Sequence, residues 1–414
     1  MLKVLKFGGS AIERMDTLEM LINKDTVVVV SALPGVTDTL YDAFPSRSTR
    51  DTEERHLRFL ENLETENKME IADRIEHKIS EAKSAETRDE FVSYGERLSV
   101  LMFSGYLEAK GMRTVVFEGD TLPINTDENG EILLDECSEA GRKILDATNE
   151  GKTPIITGYF GIDRNRRVKT LGRGGSDYTA SAIAYIIDAG TVELWKDVEG
   201  FMSADPRIVE GARRLEKLSY EEAAELAHHG AKILHPRAIE PAVKKGIKVF
   251  IKSIDNPESD GTVICSETEE SGRIRAVSFR KGLRILKFSI PGLAYTRIPG
   301  RLLDAIYGSG EIVYAISTSQ ASLAVLTDGL DREEFAGVRA ECINDVALIA
   351  TVGKGIGATP GISGDVFESM KNEGINVLMI SEGASDSAIN FVVNERECDR
   401  AVRALHRDLI SKEV

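Results

Sequence analysis

The chain has 414 residues, of which 42% are hydrophobic and 29% are charged, as is usual for a soluble globular protein of two or three domains. Its formal net charge of −16 argues against nucleic acid or an acidic membrane as the main partner. No apolar run is long enough to span a bilayer, and the N-terminus lacks the apolar stretch of a signal peptide. Four scattered cysteines form no CxxC pair and six histidines show no metal-ligand spacing, so we expect a cytoplasmic protein with reduced thiols.

The first part of the chain alternates strand patterns with helix patterns. The predicted strands are LKVLKF, TVVVVS, TVVFE (114–118), PIITGYF (154–160), TVELW (191–195) and KVFIK (248–252). The predicted helices span residues 11–22, 56–83, 88–110 and 177–187. This alternation predicts an α/β fold with a mainly parallel sheet that is covered on both faces. Ligands in such folds bind at the carboxyl ends of strands, where Gly8-Gly9 and the residues after TVELW lie.

The composition changes at residues 253–272, which are rich in Ser, Asp, Glu, Pro and Gly and indicate a domain boundary. An internal repeat follows, with one copy at 297–317 and the other at 358–381. In each copy Pro-Gly opens a helix, a glycine closes it, and a strand ends in Ile-Ser before a second apolar strand. The repeat predicts two small βαββ modules, and chance similarity of short α/β units is the alternative.

Two glycine turns carry a cation each and could bind an anion. TLGRGGSDYTA (170–180) places Arg173 beside Gly174 and Gly175 at a helix start, although a tight turn with an N-cap would use the same residues. Lys6 precedes Gly8-Gly9-Ser10, and a surface lysine at a strand end is the alternative. Neither a GxxxxGK[ST] nor a GxGxxG pattern occurs, so neither turn is a Walker or dinucleotide site.

Charged groups in three other segments could complete such a site. SYGERLS (93–99) puts Glu96 after a glycine inside an apolar helix, where close approach of a ligand would explain the glycine and the carboxylate could receive an ammonium group. The alternative is a solvated helix charge. WKDVEGFMSADPR and GAKILHP place the polar groups Asp197, Arg207 and Lys232 in turn-rich contexts. The two cations among them could bind phosphates, and a purely structural turn is the alternative.

Taken jointly, KFGGS, VVVVSALPGVT, SYGERLS, TLGRGGSDYTA, KDVEGFMSADPR and GAKILHP resemble the aspartokinases of the amino-acid-kinase superfamily along nearly the whole chain. The resemblance implies a three-layer α/β/α sandwich with a mainly parallel sheet, followed by two ferredoxin-like α+β ACT modules. We expect a catalytic domain at 1–265, a linker and strand at 266–283, and ACT modules at 284–347 and 348–414. The strand near 273–281 is expected to pair with the second module.

The resemblance further implies ATP-dependent phosphorylation of the side-chain carboxylate of L-aspartate to 4-phospho-L-aspartate, with Mg²⁺ bridging phosphate oxygens. That reaction opens the biosynthesis of lysine, threonine, methionine and isoleucine. The implied partners are L-aspartate, ATP, an amino-acid effector such as lysine or threonine at the ACT modules, and a second copy of the chain in a homodimer or larger oligomer. An amino-acid sensor with an inactive kinase body is the alternative function.

The implied roles fall on residues at the family's motif positions, with the departures given below. Lys6 would stabilise the transferring phosphoryl group and Asp177 would orient Lys6. The implied substrate-binding residues are Ser31, Thr37, Glu96, Tyr159, Arg173 and Ser176, with Arg173 on the α-carboxylate and Glu96 on the ammonium. The implied nucleotide-binding residues are Lys6, Gly8, Gly9, Ser10, Gly174, Gly175, Lys196, Asp197, Met202, Arg207 and Lys232.

Four positions depart from the family pattern. Tyr159 replaces a phenylalanine that is common in the substrate pocket, and Lys196 and Met202 replace a threonine and a tyrosine on the nucleotide side. Tyr314, in the first repeat, replaces an aspartate that is frequent in effector-binding members.

Overall fold

The computed structural model describes residues 1–230, 233–266, 268, 272–289, 297–329 and 333–411. The strands are β1 (Lys3–Phe7), β2 (Thr26–Val30), β3 (Thr114–Phe117), β4 (Thr153–Thr157), β5 (Phe160–Ile162), β6 (Val168–Thr170), β7 (Thr191–Lys196), β8 (Lys217–Leu218), β9 (Lys248–Ser253), β10 (Thr262–Ile264), β11 (Ala276–Ser289), β12 (Val313–Thr318), β13 (Ser322–Thr327), β14 (Glu334–Phe335), β15 (Val338–Arg339), β16 (Glu341–Val352), β17 (Met379–Ser381) and β18 (Ala388–Asn394).

The α-helices alternate with these strands. They are α1 (Gly9–Ile12), α2 (Met15–Leu21), α3 (Val36–Ala43), α4 (Arg50–Asn62), α5 (Lys68–Ala82), α6 (Arg88–Ala109), α7 (Ser138–Asn149), α8 (Gly175–Ile186), α9 (Tyr220–His228), α10 (Glu240–Lys245), α11 (Ile298–Tyr307), α12 (Ile362–Asn372) and α13 (Cys398–Leu405). Among the helices of the described segments, none combines the length and the hydropathy needed to cross a membrane.

The chain divides into two compact units. The first comprises Met1–Gly200, Glu216–Tyr220 and Ile233–Ser266, and the second comprises Phe201–Leu215, Glu221–Lys232 and Glu267–Val414. Within the described residues the first unit holds an eight-stranded sheet in the order β3-β4-β2-β1-β7-β9-β10-β8. Its pairs are parallel except for β9 with β10.

Alternation along β1 decides which side chains meet which helix layer. Leu5 and Phe7 are fully buried in the cluster that also contains the apolar faces of α2 to α6. Burying each such side chain stabilises the fold by about 1.5–3 kcal/mol. Lys6 lies between them and therefore points to the opposite face of the sheet, where α8 packs against β1 and β7. The sheet thus delivers one ammonium group to the α8 layer.

Three predicted elements are divided in the structure. The prediction of one helix at 56–83 is wrong, because α4 ends at Asn62 and α5 starts at Lys68. In the segment between them, Asn67 donates a side-chain hydrogen bond to the carbonyl of Gly105 at 2.9 Å. The helix predicted at 11–22 breaks between α1 and α2. The strand predicted at 154–160 breaks at Gly158-Tyr159, because Tyr159 has a φ of 75° that no strand accommodates.

Within the described residues, the second unit contains a six-stranded sheet in the order β12-β13-β11-β16-β18-β17. Two long strands lie at its centre, and β11 pairs Ala276 with Val352 and Lys287 with Glu341 of β16. Two overlapping sets of four strands have the strand order of a ferredoxin-like module, namely β16-β11-β13-β12 and β11-β16-β18-β17. This order agrees with the predicted fold class. β11 and β16 belong to both modules, so the sheet does not divide into two modules at a single residue. The predicted domain boundaries stay predictions.

The two modules of the second unit differ in the structure that follows their third strand. After β18 the second module has α13, whereas in the described residues after β13 the first has only the hairpin β14–β15. Phe335 of that hairpin is fully buried and its ring meets Phe288 edge-on at 6.2 Å. Phe335 of the hairpin therefore supplies apolar surface to the first module in the part of the chain where the second module has α13.

Candidate active site

Two lysines of neighbouring strands lie on the same face of the first unit's sheet. β1 and β7 are parallel, and Lys6 is paired with Leu194. Lys196 is two residues further along β7, so it shares the face of Leu194 and Lys6 and lies closer to the carboxyl edge. The side chain of Lys6 is 7% exposed and that of Lys196 is 17% exposed. Both ammonium groups are consequently held at the edge where ligands of such sheets bind.

Asp177, in the first turn of α8, joins the two lysines. Its Oδ1 lies 2.8 Å from Lys6 Nζ, and its Oδ2 accepts a hydrogen bond from Lys196 Nζ at 2.7 Å. Burial alone would raise the pKa of Asp177, but the charges of Lys196 and Lys6 outweigh it and lower the pKa to about 2. Burial, partly offset by Asp177, lowers the pKa of Lys6. The cluster holds two cations and one anion, and its net positive charge suits it to an anionic ligand.

The turn before α8 presents backbone donors and one guanidinium. Gly174 has a φ of 70° and is the N-cap of α8, and a Cβ at Gly174 would lie 2.4 Å from Cβ of His235. Only glycine fits this position for both reasons. Arg173 is exposed, and no acceptor for its guanidinium is found among the described residues. Asp89 of α6 secures the start of the turn by accepting hydrogen bonds from the backbone N–H and the hydroxyl of Thr170.

Glu96 is a buried carboxyl with one free oxygen. Only 2% of the residue is exposed, and its Oε1 accepts a hydrogen bond from the Ala32 N–H at 3.2 Å, while Oε2 has no partner in the described chain. Burial raises the pKa of Glu96 to about 8, although the Ala32 N–H and the charge of Lys6 act in the opposite direction. An unpaired carboxyl oxygen in such a place is costly unless a ligand supplies a donor.

The glycine next to Glu96 has a different reason from the one expected. A Cβ at Gly95 would lie 2.9 Å from the Cβ of Ala32 and 3.2 Å from Cγ1 of Val36. The glycine therefore permits α6 to pack against the segment that follows β2, and this packing accounts for the glycine without a ligand. This packing also brings the Ala32 N–H within reach of Glu96.

Other predicted substrate residues surround the ends of β2 and β4. Ser31 follows β2, is half-buried, and donates its backbone N–H to the carbonyl of Phe7 at 3.1 Å, while Thr37 lies in the first turn of α3. Ser176 is 8% exposed and contacts Gly158, where a Cβ would lie 2.6 Å from the Cβ of Ser176. Tyr159 adopts its positive φ with its N–H bonded to Oγ1 of Thr179 at 3.2 Å. Burial, with the charges of Glu96 and Asp89, raises the pKa of Tyr159 to about 12.

The first glycine turn is shaped by the protein as well as being open to a ligand. Gly8 donates its N–H to the Trp195 carbonyl at 3.3 Å, and a Cβ there would lie 3.6 Å from Lys6 Nζ. A Cβ at Gly9 would lie 2.7 Å from the carbonyl oxygen of Ala32. Ser10 is exposed. Gly9 is therefore required by packing whether or not a phosphate binds.

The remaining predicted nucleotide residues belong to different units of the chain. Asp197 is exposed just after β7 in the first unit. Met202 and Arg207 belong to the second unit, where Arg207 is 87% exposed and forms a fork with Asp205 through bonds of 3.0 and 2.6 Å. Lys232 lies outside the described residues.

Sequence reasoning missed the Lys196–Asp177 contact and the role of Asp89. The first had a signal, because parallel strands in register put Lys6 and Lys196 on one face once β1 and β7 are known to be neighbours. The role of Asp89 had no signal in the sequence, because Asp89 and Thr170 are far apart along the chain.

Comparison with known proteins places this geometry in context. The Amino acid kinase family profile matches residues 1–253, and an ACT domain profile matches residues 349–409. The chain is 30% identical over 448 residues to lysine-sensitive aspartokinase 3 of Escherichia coli (strain K12), covering 98% of each protein. It is similar to the crystal structure of E. coli aspartokinase III in complex with aspartate and ADP (R-state), with a TM-score of 0.84, 28% identity, and coverage of 99% of this chain and 100% of that one. The complex of the same enzyme with lysine and aspartate (T-state) gives the same TM-score and identity, and 99% coverage of both chains.

Proposed function

The chain belongs to the amino acid kinase family and, within it, to the aspartokinases, and from this premise we propose that it transfers the terminal phosphoryl group of MgATP to the side-chain carboxylate of L-aspartate. The observation that carries the proposal is the buried Asp177 between the ammonium groups of Lys6 and Lys196. The product, 4-phospho-L-aspartate, is an acyl phosphate.

The nucleophile needs no general base, because the side chain of aspartate is ionised at neutral pH. The protein's task is to place a carboxylate oxygen in line with the terminal phosphorus and to stabilise the charge that develops on the phosphoryl oxygens. Lys6 supplies that stabilisation from a position fixed before substrate binds, because β1 holds its backbone and Asp177 holds its ammonium. Preorganised charge in a buried site is commonly the largest single contribution to catalysis.

Recognition of the amino acid rests on two groups of opposite charge. Oε2 of Glu96, which has no partner among the described residues, accepts the substrate ammonium. The exposed guanidinium of Arg173 forms a fork with the α-carboxylate. Ser31 and Thr37 contact the reacting carboxylate, and Tyr159 and Ser176 line the pocket. Glu96 and Arg173 together bind the ammonium and the α-carboxylate of an α-amino acid. The side chain of the bound substrate is thereby directed towards Lys6.

The nucleotide is proposed to bind through backbone and scattered polar groups. The glycine turns at Gly8-Gly9-Ser10 and at Gly174-Gly175 contact the phosphates, and Lys196 and Asp197 of the same unit add polar groups to the site. The described residues contain no cluster of three acidic, histidine or cysteine side chains that could hold a metal, and both oxygens of Asp177 already face lysines. Mg²⁺ therefore enters as part of the MgATP substrate, bound mainly by phosphate oxygens.

The ACT modules are proposed to bind an amino-acid effector in a homodimer or larger oligomer. The E. coli relative crystallised with lysine supports lysine as the first effector to test, with threonine as the second. Tyr314 donates its hydroxyl to Oδ2 of Asp328 at 2.9 Å and its ring lies 4.8 Å from the Arg280 guanidinium. An acidic oxygen thus remains beside the position where Tyr314 replaces the family aspartate.

A substrate panel tests the proposal. The purified chain is incubated with MgATP and L-aspartate, L-glutamate or N-acetyl-L-glutamate, and the acyl phosphate is trapped with hydroxylamine. We expect turnover with L-aspartate above the other two acceptors. A preference for either glutamate compound would contradict the proposed substrate, and amino-acid binding without any turnover would favour the sensor function. Light scattering with and without lysine measures the oligomeric state.

A further inference from the structure

A short 3₁₀ helix of the first unit, Pro236–Ile239, begins beside the turn that carries Arg173. Its N-cap residue is His235, which lies so close to Gly174 that a Cβ on that glycine would be 2.4 Å from Cβ of the histidine. Nδ1 of His235 accepts a hydrogen bond from the backbone N–H of Arg237 at 3.3 Å. His235 therefore contacts the turn and at the same time holds the backbone of Arg237.

The hydrogen bond to Nδ1 requires a neutral imidazole ring, because a protonated ring has no acceptor. Burial and the charge of Arg237 lower the pKa of His235, and Arg173 acts in the same direction, while Asp177 opposes them. The ring is consequently neutral at pH 7, and Nδ1 remains available as the acceptor for Arg237.

The guanidinium of Arg237 joins two separate pieces of backbone. Its Nη2 donates to the carbonyl of Gly130 at 3.1 Å, and its Nη1 donates to the carbonyl of Leu171 at 3.5 Å, which is the weaker contact of the two. Its Cζ also lies 5.0 Å from the centre of the Tyr178 ring, in the first turn of α8. Arg237 thus contacts the start of α8 and the residue two positions before Arg173.

These contacts hold the backbone on both sides of Arg173. Arg237 binds the carbonyl of Leu171 before it, and His235 packs on Gly174 after it. The guanidinium of Arg173 is itself exposed, and no acceptor for it is found among the described residues. A long side chain on a fixed backbone binds its ligand with a smaller loss of conformational freedom than one on a mobile loop.

We propose that Arg237 is a positioning residue of the kinase site, which holds the turn 171–174 so that Arg173 meets the α-carboxylate of the amino-acid substrate. His235 supports this role by fixing the backbone of Arg237. The inference rests on the proposed function, in which Arg173 binds that carboxylate. Arg237 acts on the substrate through Arg173 and not by direct contact, so its removal should weaken aspartate binding only while Arg173 is present.

The test compares Arg237→Met and Arg237→Lys with a matched control, Lys245→Met. Lys245 makes the same two kinds of contact at the other end of α8, because its Nζ donates to the Tyr185 carbonyl at 2.7 Å and lies 4.5 Å from the centre of the Tyr185 ring. Calorimetry measures the affinity for L-aspartate, and circular dichroism measures the free energy of unfolding.

We expect Arg237→Met to weaken aspartate binding about 10-fold, as for a lost charged hydrogen bond. Arg237→Lys should weaken it less, because a lysine keeps the charge but not the fork that reaches two carbonyls. Lys245→Met should leave the affinity unchanged even where it lowers the stability. An unchanged affinity in Arg237→Met, or an equal loss in Lys245→Met, would overturn the inference.

A double-mutant cycle with Arg173→Ala separates positioning from a general loosening of the fold. If Arg237 acts through Arg173, adding Arg237→Met to Arg173→Ala should weaken aspartate binding no further. Additive losses of affinity would show that Arg237 acts independently of Arg173 and would refute its positioning role. If Arg237→Met does not fold, the same cycle is completed with Arg237→Lys.

Turnover of L-aspartate by the wild-type chain is measured in parallel. A wild-type chain that phosphorylates aspartate, while Arg237→Met binds it normally, would refute this inference and leave the proposed function intact. A wild-type chain that binds aspartate without turnover would contradict the proposed function, and the binding cycle would still decide the role of Arg237. Absence of both binding and turnover would overturn both.

Discussion

Each unit of the molecule contains a buried ionic cluster, and the two clusters differ in charge balance. In the first unit one carboxylate, Asp177, faces two ammonium groups. In the second unit the guanidinium of Arg284 donates to Oε1 of Glu311 at 3.2 Å, and Thr327 donates its hydroxyl to Oε2 at 3.1 Å. One cluster has a cation in excess, and the other pairs one cation with one anion.

The difference indicates what each cluster is for. A buried pair of one cation and one anion has no excess charge for a ligand to neutralise, so its removal should affect folding. A buried cluster with an excess cation is completed only by an anionic ligand, so its removal should affect binding and catalysis more than stability. Four changes to the protein or to the pH test this difference, in order from the largest expected free-energy change to the smallest.

Breaking the balanced cluster should cost stability. Arg284→Met leaves Glu311 buried without its cation, and we expect the free energy of unfolding to fall by about 3–5 kcal/mol. The double variant Arg284→Met/Glu311→Leu should recover most of the loss, because no charge is left buried. Denaturation is followed by circular dichroism, since the single tryptophan, Trp195, lies in the first unit. Equal destabilisation of the single and double variants would refute the pairing.

Removing Lys6 from the unbalanced cluster should cost catalysis. Lys6→Met is expected to lower kcat by about 10²–10³-fold, as for the loss of one preorganised group at a developing charge. The unfolding transition should change much less than in Arg284→Met, because Asp177 keeps Lys196 as a partner. Steady-state rates with MgATP and L-aspartate measure the effect. A kcat near the wild-type value would remove Lys6 from the catalytic role.

Arg173 extends the comparison to a cation for which no acceptor is found among the described residues. Arg173→Ala should raise the KM for aspartate about 10- to 100-fold and change kcat little, because the guanidinium binds the α-carboxylate equally in the ground and transition states. Arg164→Ala is the control, since Arg164 is also an exposed arginine of the first unit, and its ion pair in the described part of the chain is with Glu136, at 3.6 Å. A pure kcat effect would instead place Arg173 at the phosphoryl group.

The pH dependence of aspartate binding should report on Glu96. Because the pKa of Glu96 is raised to about 8, the carboxyl must lose a proton before it pairs with the substrate ammonium. We expect kcat/KM for aspartate to rise by up to about tenfold per pH unit below pH 8 and then to level off. Deprotonation of Lys6, whose pKa is lowered by burial, should give the falling limb at higher pH.

The control for this profile is Glu96→Gln, in which the rising limb should disappear while the KM for aspartate increases. Calorimetry at pH 7 in buffers of different ionisation enthalpy should detect proton release when aspartate binds to the wild-type protein. Binding without proton release would contradict the assignment of Glu96 to the ammonium group.

Much of the fold could be predicted from the sequence because it depends on local patterns. The alternation of Leu5, Lys6 and Phe7 already indicates that one strand contacts an apolar layer and presents a lysine to the other face. The run Val27–Val30 indicates a strand buried on both faces, and the repeat of Pro-Gly, helix and strand indicates two similar modules. The family motifs added the reaction and the names of the candidate residues.

Other features needed the packed chain. The break between α4 and α5 depends on Asn67 meeting a carbonyl of α6, and the turn at Tyr159 depends on a hydrogen bond to Thr179. The packing of Gly95 against Ala32, 63 residues earlier in the chain, could not be seen in the local sequence.

The sequence by itself determined the order of strands and helices, the apolar faces and the presence of charged groups at strand ends, because these follow from residue types at short spacing. Only the tertiary structure decided that Lys6 and Lys196 share Asp177, and that one buried oxygen of Glu96 has no partner among the described residues. Side chains far apart in sequence acquire their charge environment from the burial and the neighbours that folding gives them.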